Sequence, residues 1–358
     1  MTYHSIKPGQ VWLDTQGKRI QAHGGSVIAV GEVFYWYGEN KEKTKPGNGI
    51  WHWGVRCYAS TDLYNWEDKG VIIPPNEEDE ASPLHPSQYM DRPHILFNRH
   101  TQKFVCWLKV MQKDGTQKST VLTADDILGP YTMVQSDLRP LHMSAGDFDL
   151  VEAADGKAYY YFERVHSEMI CADLTADYTD ITGYYSTHFP QLQPPDVREA
   201  PAYFFRKGLH YLFTSGTTGY HSNPSEVAVA KSFHGPWEVL GDPHPNDASR
   251  TSYNSQITSV FKHPFKKDLY IALADRWIPN LPELAGENYA TGKGYAETAE
   301  IYRKMFNPDI DFALERPHYS MDMNIDTSVA DYVWLPVRFD GRLAYLDWRE
   351  EWRIEDYE

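Results

Sequence analysis

Cysteine is scarce in this chain, and its spacing excludes most of what cysteine builds. Three residues, Cys57, Cys106 and Cys171, lie far apart, each inside an apolar run that reads as a strand. An odd number so placed gives neither a disulfide framework nor a CxxC metal site, and reads as buried free thiols. Long apolar runs are also lacking, and none approaches a bilayer span. The opening Met1-Thr2-Tyr3-His4-Ser5 is not a basic segment leading into an apolar one; the expectation is a cytoplasmic protein. Basic charge is in deficit, with 34 Lys and Arg against 50 Asp and Glu, a net −16. That balance argues against nucleic acid or an anionic membrane as partner. Helical periodicity is nearly absent before residue 295.

Aromatic residues are abundant: 25 Tyr, 15 Phe and 11 Trp. They suit a pleated sheet surface and also stack on sugar rings, so they favour an all-β chain before they favour any function. Strand-like runs recur at 33–37, 103–109, 158–162, 209–214 and 269–273. Several lead to a second strand and a small polar turn, as in Gly129-Pro130-Tyr131 and Gly235-Pro236-Trp237. Units of three or four strands returning every ~50–60 residues predict a β-propeller, here of five blades. The whole of 1–358 reads as one such domain.

The exception is 280–326. There Tyr295, Ala299, Tyr302 and Met305/Phe306 fall at helical spacing, and Asn307-Pro308 stops the pattern. This predicts a helix-containing insertion within the last blade. Strand patterns then resume, and the last strand is expected to close the ring beside the N-terminal segment, since closure removes free edges.

Inner strands of a propeller point into one central funnel, so polar residues at matching points of successive units can converge. His23, Glu39, Asp91, Asp147, Glu199 and Gln256 hold such points. Asp91 precedes Arg92-Pro93 just as Glu199 precedes Ala200-Pro201, and His23 is followed by two glycines that permit close backbone approach. A ring of acids with aromatics nearby is what glycoside hydrolysis needs: one carboxylic acid protonates the leaving oxygen while a second group handles water on the other face. A rigid glutamic acid in aromatic surroundings, such as Glu199, has its proton affinity raised by desolvation.

At these residues the chain resembles glycoside hydrolase family 43, and most of all its exo-β-1,3-galactanase subfamily. The matching stretches include Ala22-His23-Gly24-Gly25, Tyr35-Trp36-Tyr37-Gly38-Glu39, Asp91-Arg92-Pro93, Arg198-Glu199-Ala200-Pro201, Asp275-Arg276-Trp277 and Tyr332-Val333-Trp334-Leu335-Pro336. The resemblance implies an inverting mechanism with Glu199 as general acid and Asp147 as the aspartate that tunes it. The first-blade aspartate that serves the wider family as base is replaced here by Ala22-His23-Gly24. In the subfamily a glutamine matching Gln256 takes that part as its imidic tautomer. Glu39, Thr217, Thr218 and Tyr220 match sugar-contacting positions, and His23 and Trp277 are read as sugar contacts beside them. Two departures stand out: Asp91 where the subfamily has Glu, which makes Asp91 an alternative base or a sugar contact, and Tyr220 where it has Trp.

The expected activity is therefore release of a terminal sugar, β-D-galactose first, from plant-type arabinogalactan oligosaccharides. α-L-Arabinofuranosidase and β-xylosidase activity are the alternatives within the family, and a non-catalytic carbohydrate-binding propeller is the alternative outside it. No cofactor is required by such chemistry. The fold admits a structural Ca²⁺ at its centre, for which the sequence carries no ligand motif, and the oligomeric state stays open.

Overall fold

The computed structural model describes residues 2–310 and 325–358, and they form five antiparallel sheets around one axis. The first sheet is β1 (His23–Val30), β2 (Val33–Glu39), β3 (Val55–Ser60) and β4 (Glu67–Ile73). The second is β5 (Tyr89–Asn98), β6 (Lys103–Met111), β7 (Gln117–Ala124) and β8 (Thr132–Leu138). The third is β9 (Ala145–Glu152), β10 (Ala158–Arg164), β11 (Glu168–Leu174) and β12 (Ile181–His188). The fourth is β13 (Arg198–Arg206), β14 (Leu209–Gly216), β15 (Glu226–Ala230) and β16 (Glu238–Gly241). The fifth is β17 (Gln256–Lys262), β18 (Tyr270–Arg276), β20 (Leu335–Asp340) and β21 (Leu343–Leu346), with the short β19 (Asp331–Tyr332) also paired to β18. The strands β1, β5, β9, β13 and β17 pack on one another in a closed circle, which makes them the inner strands of a five-bladed propeller.

The burial pattern explains why these runs form blades. Inner and second strands are buried almost throughout, as in Ala158–Arg164, while the outer Thr132–Leu138 and Ile181–His188 alternate or face water. A strand sandwiched between neighbouring blades has two apolar faces, so it reads as a continuous aromatic and β-branched run. All three cysteines are buried free thiols.

Two helices, α1 (Leu281–Ala285) and α2 (Lys293–Met305), interrupt the fifth sheet between β18 and β19. In α2 the side chains of Ala299 and Tyr302 are the buried ones, and Phe306 caps its C-terminus. Of the expected insertion, residues 311–324 lie outside the described residues. No described helix is long and apolar enough to cross a membrane.

Ring closure differs from the expectation. The N-terminal segment meets a residue beyond the last strand: Ile6 and Trp352 exchange two backbone hydrogen bonds of 2.9 and 3.0 Å. Behind that bridge, Trp36, Trp66, Tyr332 and Trp334 from the first and last blades pack into one buried aromatic cluster with Ile6 and Trp352. Apolar burial thus supplies what a shared sheet edge would have supplied.

Candidate active site

Each inner strand carries a register irregularity near its start. Pairing shifts between His23 and Ser26 in β1, Asp91 and His94 in β5, Glu199 and Ala202 in β13, and Ile257 and Ser259 in β17. In the third blade the shift falls between Phe162 and Arg164, opposite the start of β9. Immediately after His23, Asp91 and Glu199 the backbone turns left-handed, with φ of 61° at Gly24, 55° at Arg92 and 49° at Ala200. A bulge sets two residues against one, twists the strand and re-aims the side chain beside it. For Arg92 and Ala200 this conformation costs about 1–3 kcal/mol each, which the surrounding blades must hold. Pro93 and Pro201 fit here because a bulge relieves the ladder of the N–H that proline lacks.

The bulged ends converge on a charge network. Asp147 Oδ1 lies 2.8 Å from Lys109 Nζ, and its Oδ2 lies 2.9 Å from Arg92 Nη2. Lys109 also reaches Asp91 Oδ2 at 3.3 Å. The Trp51 indole N–H donates to Asp91 Oδ1 at 2.7 Å. Lys41, fully buried, sits 2.9 Å from Glu39 Oε2 and 3.8 Å from Asp91 Oδ1. The backbone N–H of Arg92 donates to Glu39 Oε1 at 2.9 Å. Four carboxylates (Glu39, Asp91, Asp147, Glu199) thus share the pit with three cations (Lys41, Arg92, Lys109), and one acid is left without its own positive partner.

That acid is Glu199. Burial pushes its carboxyl well above the ordinary range, and the charges of Asp147 and Glu163 push it further, against the opposing pull of Lys109 and Arg92. Asp147 goes the other way: burial would raise it, but Arg92 and Lys109 together hold it below the usual aspartate range. Two carboxyl groups driven apart in this manner are what an acid and its ionised partner require. The Nε2 of Gln256 donates to Glu199 Oε1 at 3.1 Å and to Ser215 Oγ at 3.1 Å, and the Trp277 indole N–H donates to Gln256 Oε1 at 3.1 Å. Indole nitrogen can only donate, so Trp277 fixes which end of the amide faces it.

The sequence-predicted residues fall into two groups. Asp91, Asp147, Glu199, Gln256, Glu39 and Trp277 belong to this one network. Tyr220 stands at its rim, its ring 5.0 Å from Trp277 and 5.9 Å from Trp51. His23, read as a sugar contact, is instead fully buried behind the wall. Its Nδ1 is 3.0 Å from Asp275 Oδ1, and its ring stacks on Tyr332 at 4.9 Å. Gly24 serves the neighbouring strand, since a Cβ there would meet Glu39 Oε1 at 2.3 Å.

Thr217 and Thr218 are likewise turned to the protein. Thr217 Oγ1 donates to the Val197 carbonyl at 3.0 Å and ties the β14–β15 loop to the segment before β13, and Thr218 Oγ1 donates to the His221 carbonyl at 2.5 Å within that loop. Lys41, Trp51, Lys109, Glu163 and Asp275 were missed by the sequence reading. Lys109 had a signal: it interrupts Trp107-Leu108-Lys109-Val110, an apolar run on the buried second strand where a lone cation implies a buried acid. The loop residues Lys41 and Trp51 had none.

Among the described residues no three His, Cys, Asp or Glu side chains gather as a metal ion would need. Lysine or arginine pairs with Glu39, Asp91 and Asp147.

Blades delivering a raised carboxylic acid, an ionised aspartate and a rim of aromatic rings to one pit define a carbohydrate-cleaving propeller. Residues 20–278 match the model of glycosyl hydrolases family 43. The chain belongs to that family and is a glycoside hydrolase. Among curated proteins no sequence matches it. The structure of a family 43 β-1,3-galactosidase is 26% identical with a TM-score of 0.76, over 100% of this chain and 65% of that one. Another, with galactodeoxynojirimycin, is 25% identical with a TM-score of 0.76, over 98% of this chain and 100% of that one. The exo-β-1,3-galactanase of Phanerochaete chrysosporium with galactose is 24% identical with a TM-score of 0.75, over 98% of this chain and 68% of that one.

Proposed function

We propose that the protein is an exo-acting, inverting glycosidase that releases terminal β-D-galactose from galactan-type oligosaccharides. The observation that carries this reading is the desolvated Glu199 carboxyl, flanked by the ionised Asp147 and gripped by Gln256. With Gln256 donating to Oε1, the acid's proton belongs on Oε2, free to pass to the glycosidic oxygen as the bond to C1 breaks. Water then attacks C1 from the opposite face and gives up a proton. The β-1,3-galactosidases among the structures above support galactose as the sugar.

Two side chains can take the water's proton. Gln256 has its amide fully engaged with Glu199, Ser215 and Trp277, so it must leave the acid before its nitrogen acts. Asp91 keeps unused acceptor positions beside its bonds to Trp51 and Lys109.

The test is proton NMR of a fresh digest of β-1,3-galactobiose. Galactose appearing first as the α-anomer is expected. First appearance of the β-anomer, or cleavage confined to arabinofuranosides or xylosides, overturns the reading.

A further inference from the structure

Blades 1 and 4 are not neighbours in the ring, because blade 5 lies between them. Their loops nevertheless touch. Trp51, between β2 and β3, lies nearly parallel to Tyr220, between β14 and β15, with ring centroids 5.9 Å apart and planes at 27°. The contact extends at both ends. Trp51 also packs edge-on against Tyr89 at 4.7 Å, and Tyr220 packs against Trp277 at 5.0 Å. Four rings thus form an unbroken arc from the second blade to the fifth.

The arc is firmly rooted. The Trp51 carbonyl accepts from Lys41 Nζ and from Thr44 Oγ1, each at 2.9 Å, and its backbone N–H donates to the Pro86 carbonyl at 2.7 Å. The Lys41 ammonium lies 4.5 Å from the Trp51 ring centroid. Tyr220 packs against the buried cluster of Trp277, Ile278 and Ala330, on which Leu281 and Ile325 also pack. The indole N–H groups of Trp51 and Trp277 point inward, to Asp91 and Gln256.

We propose that the Trp51–Tyr220 contact is the wall that ends the site beyond one sugar, and so dictates attack on chain ends. This rests on the galactosidase reading above. A polysaccharide bound through its interior needs an exit on both sides of the cleaved residue. The arc from Tyr89 through Trp51 and Tyr220 to Trp277 closes one side of the site, and the leaving chain departs on the side away from it. Selection comes from exclusion: a further sugar on the non-reducing side has to displace packed rings.

The experiment compares two substrates: β-1,3-galactotriose, and the same trisaccharide carrying a 3-O-methyl cap on its non-reducing galactose. Wild type is expected to cleave the first and to discriminate against the second. Galactose release from the uncapped substrate tests the underlying glycosidase reading independently. Y220A opens the wall without touching Asp91, and W51A opens it from the other side. Each is expected to narrow the uncapped-to-capped ratio of kcat/KM by about tenfold or more. W51F keeps a ring and loses only the bond to Asp91, so it should lower turnover yet keep the ratio. A ratio unchanged in Y220A overturns the proposal even if W51A does not fold, and so does a wild type indifferent to the cap.

Discussion

The amide of Gln256 and the carboxyl of Glu199 are in direct contact, Nε2 to Oε1 at 3.1 Å. In an inverting hydrolase the acid and the base stand ~6.5–9.5 Å apart, on opposite faces of the sugar. On the proposed mechanism Gln256, as placed here, holds Oε1 of the acid and leaves the proton on Oε2, while the Trp277 indole holds the Gln256 oxygen; to serve as base Gln256 would first have to leave Glu199.

Glu199→Gln should lower kcat by about 10²–10⁴ on substrates with poor leaving groups. On nitrophenyl glycosides, whose leaving group needs little protonation, the loss should be far smaller. A series of aryl galactosides measures this. Equal losses along the series would remove Glu199 from the role of acid.

Asp147 and Lys109 should move the alkaline limb of the pH–rate profile in opposite directions. The Asp147 charge raises the Glu199 carboxyl, so Asp147→Asn should shift the limb to lower pH. Lys109 lowers that carboxyl, so Lys109→Met should shift it to higher pH. Asp147→Asn leaves the buried Arg92 without its ion pair, at a cost of about 3–5 kcal/mol in unfolding free energy, whereas after Lys109→Met Asp147 keeps Arg92 and the cost is smaller. Profiles of kcat/KM are therefore best taken well below the melting temperature.

Azide should separate the two candidate bases. Removing the base lowers turnover by about 10²–10⁴, and a small anionic nucleophile that needs no deprotonation restores it. If Asp91 is the base, azide rescues Asp91→Ala and α-galactosyl azide accumulates; if Gln256 is, only Gln256→Ala responds. Identification of the azide adduct by NMR decides between them.

Glu199→Gln should also make the fold more stable, and increasingly so as pH rises. A carboxyl whose proton affinity is raised on folding contributes stability that is present below its unfolded value near 4.5 and is lost as pH climbs through the folded value. Gln cannot ionise and escapes that loss. Melting temperatures of both proteins from pH 4 upward should diverge with the variant higher; parallel curves would contradict the desolvation of Glu199.

Much of this was written in the sequence. The five blades were legible because each repeats the same buried aromatic strands, and the acids were legible because Asp91-Arg92-Pro93 and Glu199-Ala200-Pro201 share a bulge that needs a proline-tolerant kink. What could not be read was which way a side chain faces once several blades compete for it. His23 and Asp275 satisfy each other behind the wall, and Thr217 and Thr218 spend their hydroxyls on backbone carbonyls. Trp51 and Lys41 escaped because they sit in an irregular loop without period, and only the folded ring brings them to Asp91.

The clasp between Ile6 and Trp352 joins residues almost a full chain length apart. During synthesis, Trp36 and Trp66 emerge early, whereas Tyr332, Trp334 and Trp352, which cover them, arrive last. Through most of translation the nascent molecule lacks the C-terminal half of this cover, and the indole surface it leaves exposed favours aggregation or chaperone recruitment.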